Sequence, residues 1–199
     1  MKRLCNVLLC LCLLAGLCGC AIKLAPDEND PYSIIAADII NGLIDDDRLD
    51  GLNDTFYALY DIDGNGIEEL LMGNGRGVYG KFLYDMYTIQ DGIAVKQDFW
   101  ADSDEQPSPV ILENGTIRSE RNDQGELYYY YHRFVDGKLK LQLMLIDNTY
   151  YNENEYFYFY DFIGRTPTTK DEFNRMRAEM EGDGQVVKLK WKPLRKYGR

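Results

Sequence analysis

Beyond residue 20 the chain has no cysteine: Cys5, Cys10, Cys12, Cys18 and Cys20 all lie at the start of a 199-residue sequence. A domain built from the remainder therefore has no disulfide, no thiol nucleophile and no thiolate metal site, and must rest on its own core. Histidine is equally scarce. The single His132 rules out a zinc centre with several imidazole ligands. A nucleophilic triad would have to pair this one imidazole with Ser33, Ser103, Ser108 or Ser119. His132 follows the run Tyr128-Tyr129-Tyr130-Tyr131, which reads as a strand, so a position on a strand face is the simpler expectation. No long-period repeat or low-complexity block occurs. The most apolar stretch, residues 7–17, falls short of the roughly 20 residues that a helix needs to cross a bilayer.

That stretch has the layout of an export signal. Lys2 and Arg3 give it a positive start, and small residues follow the apolar run. The segment Leu17-Cys18-Gly19-Cys20 resembles the lipobox of bacterial lipoproteins, departing from it at Cys18, where Ala, Ser or Thr is commoner. Cys18 itself is a poor acceptor, because Leu17 would stand where a small residue is needed. The resemblance, which covers the first 20 residues, implies a signal peptide over residues 1–19 and a diacylglyceryl thioether on Cys20. It places the protein on the extracytoplasmic face of the cell membrane, with two acyl chains holding it stably where one would be marginal. The polar, Pro26-containing stretch after Cys20 reads as a tether, so that residues 20–30 link the lipid to one domain over residues 31–199.

Basic residues are in deficit. Of 22 Lys and Arg, removal of Lys2 and Arg3 leaves 20 against 33 Asp and Glu, a formal charge of −13. This excess argues against nucleic acid as a partner and against flat docking on an anionic bilayer. It suits a head held off the membrane, and the binding of hard cations.

Asp30-Pro31 reads as a helix start, with Asp as N-cap and Pro in the first turn. Ile35, Ile39, Ile40, Leu43 and Ile44 share one face of a helix from residue 31 to about 46. From residue 56 onward, short runs rich in Tyr, Phe, Leu, Ile and Val alternate with turn signals such as Asp91-Gly92, Asn114-Gly115 and Asp136-Gly137. The strands expected are 56–62, 69–72, 82–89, 93–99, 110–112, 116–120, 126–135, 138–147 and 156–162. Thr169-Lys170-Asp171-Glu172 forms a capping box that opens a helix to about residue 181, and residues 186–191 alternate like a last strand. The expected fold is α+β: one antiparallel β-meander, curved or partly closed, bracketed by an N-terminal and a C-terminal helix.

One stretch carries chemistry, Asp61-Ile62-Asp63-Gly64-Asn65-Gly66-Ile67-Glu68-Glu69. Oxygen-bearing side chains recur at every second position, and Gly66 permits a sharp turn. Calcium takes six to eight oxygens at about 2.3–2.6 Å. The loop resembles the calcium loop of FG-GAP and VCBS-type repeats, in which an aspartate-rich loop joins two strands. It also resembles the first nine positions of an EF-hand or dockerin loop, but Met72 stands where an EF-hand has its bidentate Glu. Carried over, the resemblance implies Asp61, Asp63, Asn65, the Ile67 carbonyl and Glu69 as ligands of a structural Ca2+, with Glu68 facing solvent. Only one copy is present, so no propeller is implied. A polar hairpin turn without metal remains the alternative reading of the same residues. The overall layout also resembles small uncharacterised lipoproteins of Gram-positive bacteria, which implies no activity.

No catalytic set stands out, so the expectation is a non-enzymatic protein that acts in binding or cell-envelope support. The alternative is an envelope glycan hydrolase using a carboxylate pair, which needs two carboxyls roughly 5–10 Å apart in a cleft. Tyrosine is the other excess, 16 in all. Alternation puts Tyr156, Tyr158 and Tyr160 on one strand face, either as core or as an exposed platform for a glycan or protein partner.

Overall fold

The computed structural model describes residues 24–77, 80–99, 107–150, 155–159 and 164–198. Helix α1 (Pro31–Asp45) starts as its sequence dictates: the Asp30 side chain accepts a hydrogen bond from the Tyr32 N–H, and Pro31 occupies the first turn. A short helix α2 (Leu49–Asn53) follows in what reads as a merely polar stretch. Then come β1 (Thr55–Tyr60), β2 (Glu69–Gly77), β3 (Gly80–Gln90) and β4 (Ile93–Lys96). The next strands are β5 (Val110–Ile111), β6 (Ile117–Asp123), β7 (Glu126–Val135) and β8 (Lys138–Asp147), with β9 (Tyr156–Phe159) and β10 (Thr166–Thr168) after them. Helix α3 (Lys170–Glu181), β11 (Lys192–Pro193) and a 3-10 turn (Leu194–Lys196) complete the described chain.

The strands are antiparallel throughout, as expected, but they form two open sheets where one curved or partly closed meander was anticipated. The first has the order β11-β1-β2-β3-β4 and the second β10-β9-β8-β7-β6-β5. The break falls between β4 and β5, where no hairpin turn joins consecutive strands.

Strand alternation sorts the apolar residues into three cores. Tyr57, Leu70 and Met72 on one face of the first sheet pack with Tyr32, Ala36 and Ile40 of α1. Ala58, Leu71, Leu83 and Met86 on its other face meet Ile111, Ile117 and Leu139 of the second sheet. Tyr131, Leu143, Leu145 and Tyr156 on the second sheet pack with Phe173 and Met176 of α3. Since β2 is buried on both faces, it reads as a continuous apolar run, Leu70-Leu71-Met72.

The strand expected over residues 186–191 is reduced to a single bridge, Leu112 to Val186. The Glu113 N–H donates to the Gln185 carbonyl at 3.0 Å and the Val187 N–H to the Ile111 carbonyl at 2.8 Å. Farther along, β11 pairs with β1, so this one segment ties the edges of both sheets. Trp191 packs so closely over Gly73 that a Cβ there would lie 2.8 Å from two of its ring carbons.

Candidate functional site

The aspartate-rich loop is the β1–β2 connection. Tyr60 pairs with Glu69 across the hairpin, and residues 61–68 bulge out between them. Asp61 organises the bulge: its Oδ1 accepts from the N–H groups of Gly64 at 2.8 Å and Asn65 at 3.1 Å, and its Oδ2 from Gly66 at 2.9 Å. Asp63 Oδ1 accepts from the Asn65 N–H at 3.3 Å, and Asn65 Oδ1 from the Ile67 N–H at 2.7 Å. Each is a side chain bonding to the backbone two or more residues on, which bends the chain around the oxygens. Gly64 and Gly66 take left-handed φ values of 73° and 87°, a conformation costly for other residues.

Asp61, Asp63 and Asn65 are thereby gathered in one exposed or half-exposed turn, with Ile67 and Glu68 also exposed. Among the described residues, no three His, Cys, Asp or Glu side chains form a cluster that could hold a metal. The turn gathers the side-chain oxygens of two carboxylates and one amide, hard oxygens of the kind calcium takes. Each carboxylate oxygen can accept twice, so the turn's own hydrogen bonds leave acceptor capacity for a cation.

Glu69 does not join this exposed set. Its side chain is fully buried. Its Oε2 accepts from the Ile62 N–H and its Oε1 from the Thr88 hydroxyl, both at 2.9 Å. The register explains the departure. Leu70 pairs with Tyr87, which sets Glu69 beside Thr88 at the end of the sheet. Burial pushes the Glu69 carboxyl up to about 7, against the pull of the Ile62 N–H and the Thr88 hydroxyl; the nearby Asp63 pushes the same way as burial. Among the described residues no Lys or Arg forms an ion pair with it.

The loop base is held from two sides. The Tyr32 hydroxyl of α1 donates to the Glu68 carbonyl at 2.8 Å and to the Tyr87 carbonyl at 3.3 Å. From the second sheet, Gly115 in the β5–β6 turn lies so near that a Cβ would stand 2.9 Å from the Ile62 carbonyl oxygen. Thr88 and Tyr32 carry no local motif, and Asn114-Gly115 marks only a turn. Only the strand pairing and the packing of the two sheets bring them to the loop.

Of the two readings of the tyrosine face, core and exposed platform, Tyr156 takes the first. Tyr156 is 6% exposed and packs against Phe173, at a ring-centroid distance of 5.0 Å, while Tyr158 lies half-buried against the same core. Helix α3 covers the face that alternation assigns to them. Tyr160 and Cys20 lie outside the described residues. His132 is buried with no partner for its Nδ1, and desolvation pushes its pKa down to about 4, so the imidazole is neutral at neutral pH. A hollow of about 660 Å³ lies between the β6–β7 turn and the end of β8, lined by Asn122, Gln124, Gly125, Leu127, Asp147, Thr149 and Tyr150. Among the described residues its lining includes one carboxylate, Asp147, whose Oδ1 accepts from the Thr149 N–H at 2.9 Å and its hydroxyl at 2.6 Å. Among the described residues, no helix is long and apolar enough to cross a membrane. No protein-family model, curated protein or solved structure matches this chain.

Proposed function

We propose that this chain is an extracytoplasmic lipoprotein, anchored to the cell membrane through Cys20, whose domain is stabilised by one Ca2+ in the β1–β2 loop. Its work is the binding of a glycan or protein partner, or support of the cell envelope. In this reading Asp61, Asp63, Asn65 and the Ile67 carbonyl hold the ion from the loop, and the Glu69 carboxyl, buried at the loop's base, adds negative charge beneath them without joining the ligand set. The helices α1 and α3 serve as the outer layers of the same domain.

One observation carries the calcium reading. Glu69 is a fully buried carboxylate at the base of a loop already wound around Asp61, and no basic group among the described residues ion-pairs with it. Ionising this carboxyl without a counter-charge is costly, which is why burial raises its pKa, and a bound cation is one way to supply the counter-charge. The role assigned to the ion is structural: it would add to the bonds that already hold the turn between β1 and β2.

The test is calorimetric titration of calcium into the protein, beside Asp63→Ala, with the melting temperature followed with and without chelator. Binding in the parent that disappears in the variant, with a melting temperature raised by calcium, is the expected result. Absence of both heat and shift at millimolar calcium would leave the loop as a polar turn and remove the metal from the proposal.

A further inference from the structure

The chain is acidic overall, yet its residues 185–199 contain six basic side chains and no acidic one: Lys188, Lys190, Lys192, Arg195, Lys196 and Arg199. The first five are all exposed, and Arg199 lies outside the described residues. The fold lines them up. Val187, Leu189 and Trp191 pack on the core between the two sheets, so the intervening Lys188, Lys190 and Lys192 project from the other side. In an extended segment such neighbours stand roughly 7 Å apart. Hydrogen bonds to Ile111 and Glu113 hold the start of the segment, and pairing with β1 holds its end. The row is therefore a fixed feature of the domain surface.

Among the described residues these five cations have no carboxylate partner. Arg195 donates to Asn53 Oδ1 at 2.8 Å, and the Lys192 ammonium lies 5.8 Å from the centre of the Tyr57 ring. By contrast, Lys96, Arg118, Arg165 and Arg177 each pair with a carboxylate. In a chain with this excess of acids, such a run of cations makes one edge locally basic.

The tether joins the domain along α1. The Leu24 N–H donates to Asn41 Oδ1 at 2.9 Å, and the Asn41 amide returns a bond to the Leu24 carbonyl at 3.0 Å. Leu24 packs on the core that also contains Leu194 and Tyr197, and the Tyr197 hydroxyl donates to Asp30 Oδ2 at 2.9 Å. Cys20 lies four residues before Leu24, a span of at most about 14 Å.

We infer that the edge from Lys188 to Lys196 docks on the anionic phospholipid headgroups of the membrane that holds Cys20. The inference rests on the lipid-anchor reading and is independent of calcium. The net negative charge repels the domain from an anionic surface taken as a whole. Screening limits that repulsion to about 8 Å at physiological salt, so at contact the local basic edge decides. Anchoring converts docking into an intramolecular event, which raises the effective concentration of headgroups at the edge. Basic residues close to a lipid anchor are each attracted to an anionic leaflet. The edge would thus fix which way the tethered domain faces.

The test is amine footprinting of the lipidated protein in vesicles of phosphatidylcholine alone or of phosphatidylcholine with phosphatidylglycerol in equal parts. Labelling of Lys188, Lys190, Lys192 and Lys196 is expected to slow several-fold on the anionic vesicles and to recover at high salt. Lys138 and Lys140, exposed on β8, serve as the reference and keep the same rate. A variant with Lys188, Lys190 and Lys192 all changed to Gln stays anchored but loses the protection of Lys196. Protein that floats with both vesicles yet labels equally on them overturns the docking alone. Protein that fails to float with neutral vesicles overturns the anchor reading, and the docking that rests on it.

Discussion

Replacing Glu69 by Gln isolates the consequence of burying this carboxylate. The substitution is nearly isosteric, and the hydrogen bonds survive: the Gln oxygen accepts from the Ile62 N–H, while the Thr88 hydroxyl rotates to accept from the amide. In the metal-free parent, burial raises the carboxyl from 4.5 to about 7. Between those values the folded state holds a proton that the unfolded chain has released, so stability is highest below 4.5 and is lost as pH rises through 7. At 1.36 kcal/mol per pKa unit, the loss amounts to about 3 kcal/mol. The assay is urea unfolding across this window with chelator present, parent beside Glu69→Gln. The parent is expected to lose about 3 kcal/mol relative to the variant as pH rises from the lower to the higher value. Calcium favours the ionised carboxylate, so saturating metal should reduce the difference in slope, and binding near neutral pH should release about half a proton from the parent alone. Identical slopes for parent and variant in chelator would refute the reasoning, because Glu69 would then titrate alike in the folded and unfolded chains.

His132 contributes a slope of the opposite sign. Its pKa is lowered from 6.5 to about 4, so stability falls as acidification proceeds from 6.5 to 4, by about 3 kcal/mol; His132→Gln should remove that fall in the same unfolding series. Gly115→Ala is expected to destabilise by about 1–3 kcal/mol, since residue 115 has φ of 78° and its Cβ would crowd the Ile62 carbonyl. Thermal unfolding reads the loss, and a parallel weakening of calcium binding would show that the β5–β6 turn supports the loop.

Much of the strand pattern is legible because local chemistry and tertiary packing agree there. The expected strands 126–135 and 138–147 coincide with β7 and β8, whose hairpin is marked by Asp136-Gly137, with both residues at positive φ. The caps are equally local: Asp30 binds the Tyr32 N–H, and Thr169 the Glu172 N–H. The division into two sheets leaves no such trace. Hairpin signals say that neighbouring strands pair, but nothing in residues 93–110 says whether pairing resumes in the same sheet. The segment over 186–191 has strand alternation yet spends its backbone on two different edges, Ile111 to Glu113 and then β1.

The candidate site shows the same limit at finer scale. Spacing alone treats Asp61, Asp63, Asn65 and Glu69 as equivalent loop oxygens, and the first three do share one turn. Glu69 differs because the hairpin closes at Tyr60 and Glu69: it is the first residue of a strand, subject to burial on either face. That burial depends on Thr88, nineteen residues away, and on the second sheet, which periodicity cannot foresee. For Tyr156 and Tyr158 the choice between core and platform is open in the sequence for the related reason that alternation groups residues by face without saying what lies over the face. Here α3 does, through Phe173 and Met176. The basic residues from Lys188 to Lys196 were hidden inside the net charge, which sums over a surface that the fold then divides unequally. An acidic total correctly disfavours broad contact with an anionic bilayer. It does not forbid contact along one edge, because charges beyond a Debye length from that edge are screened.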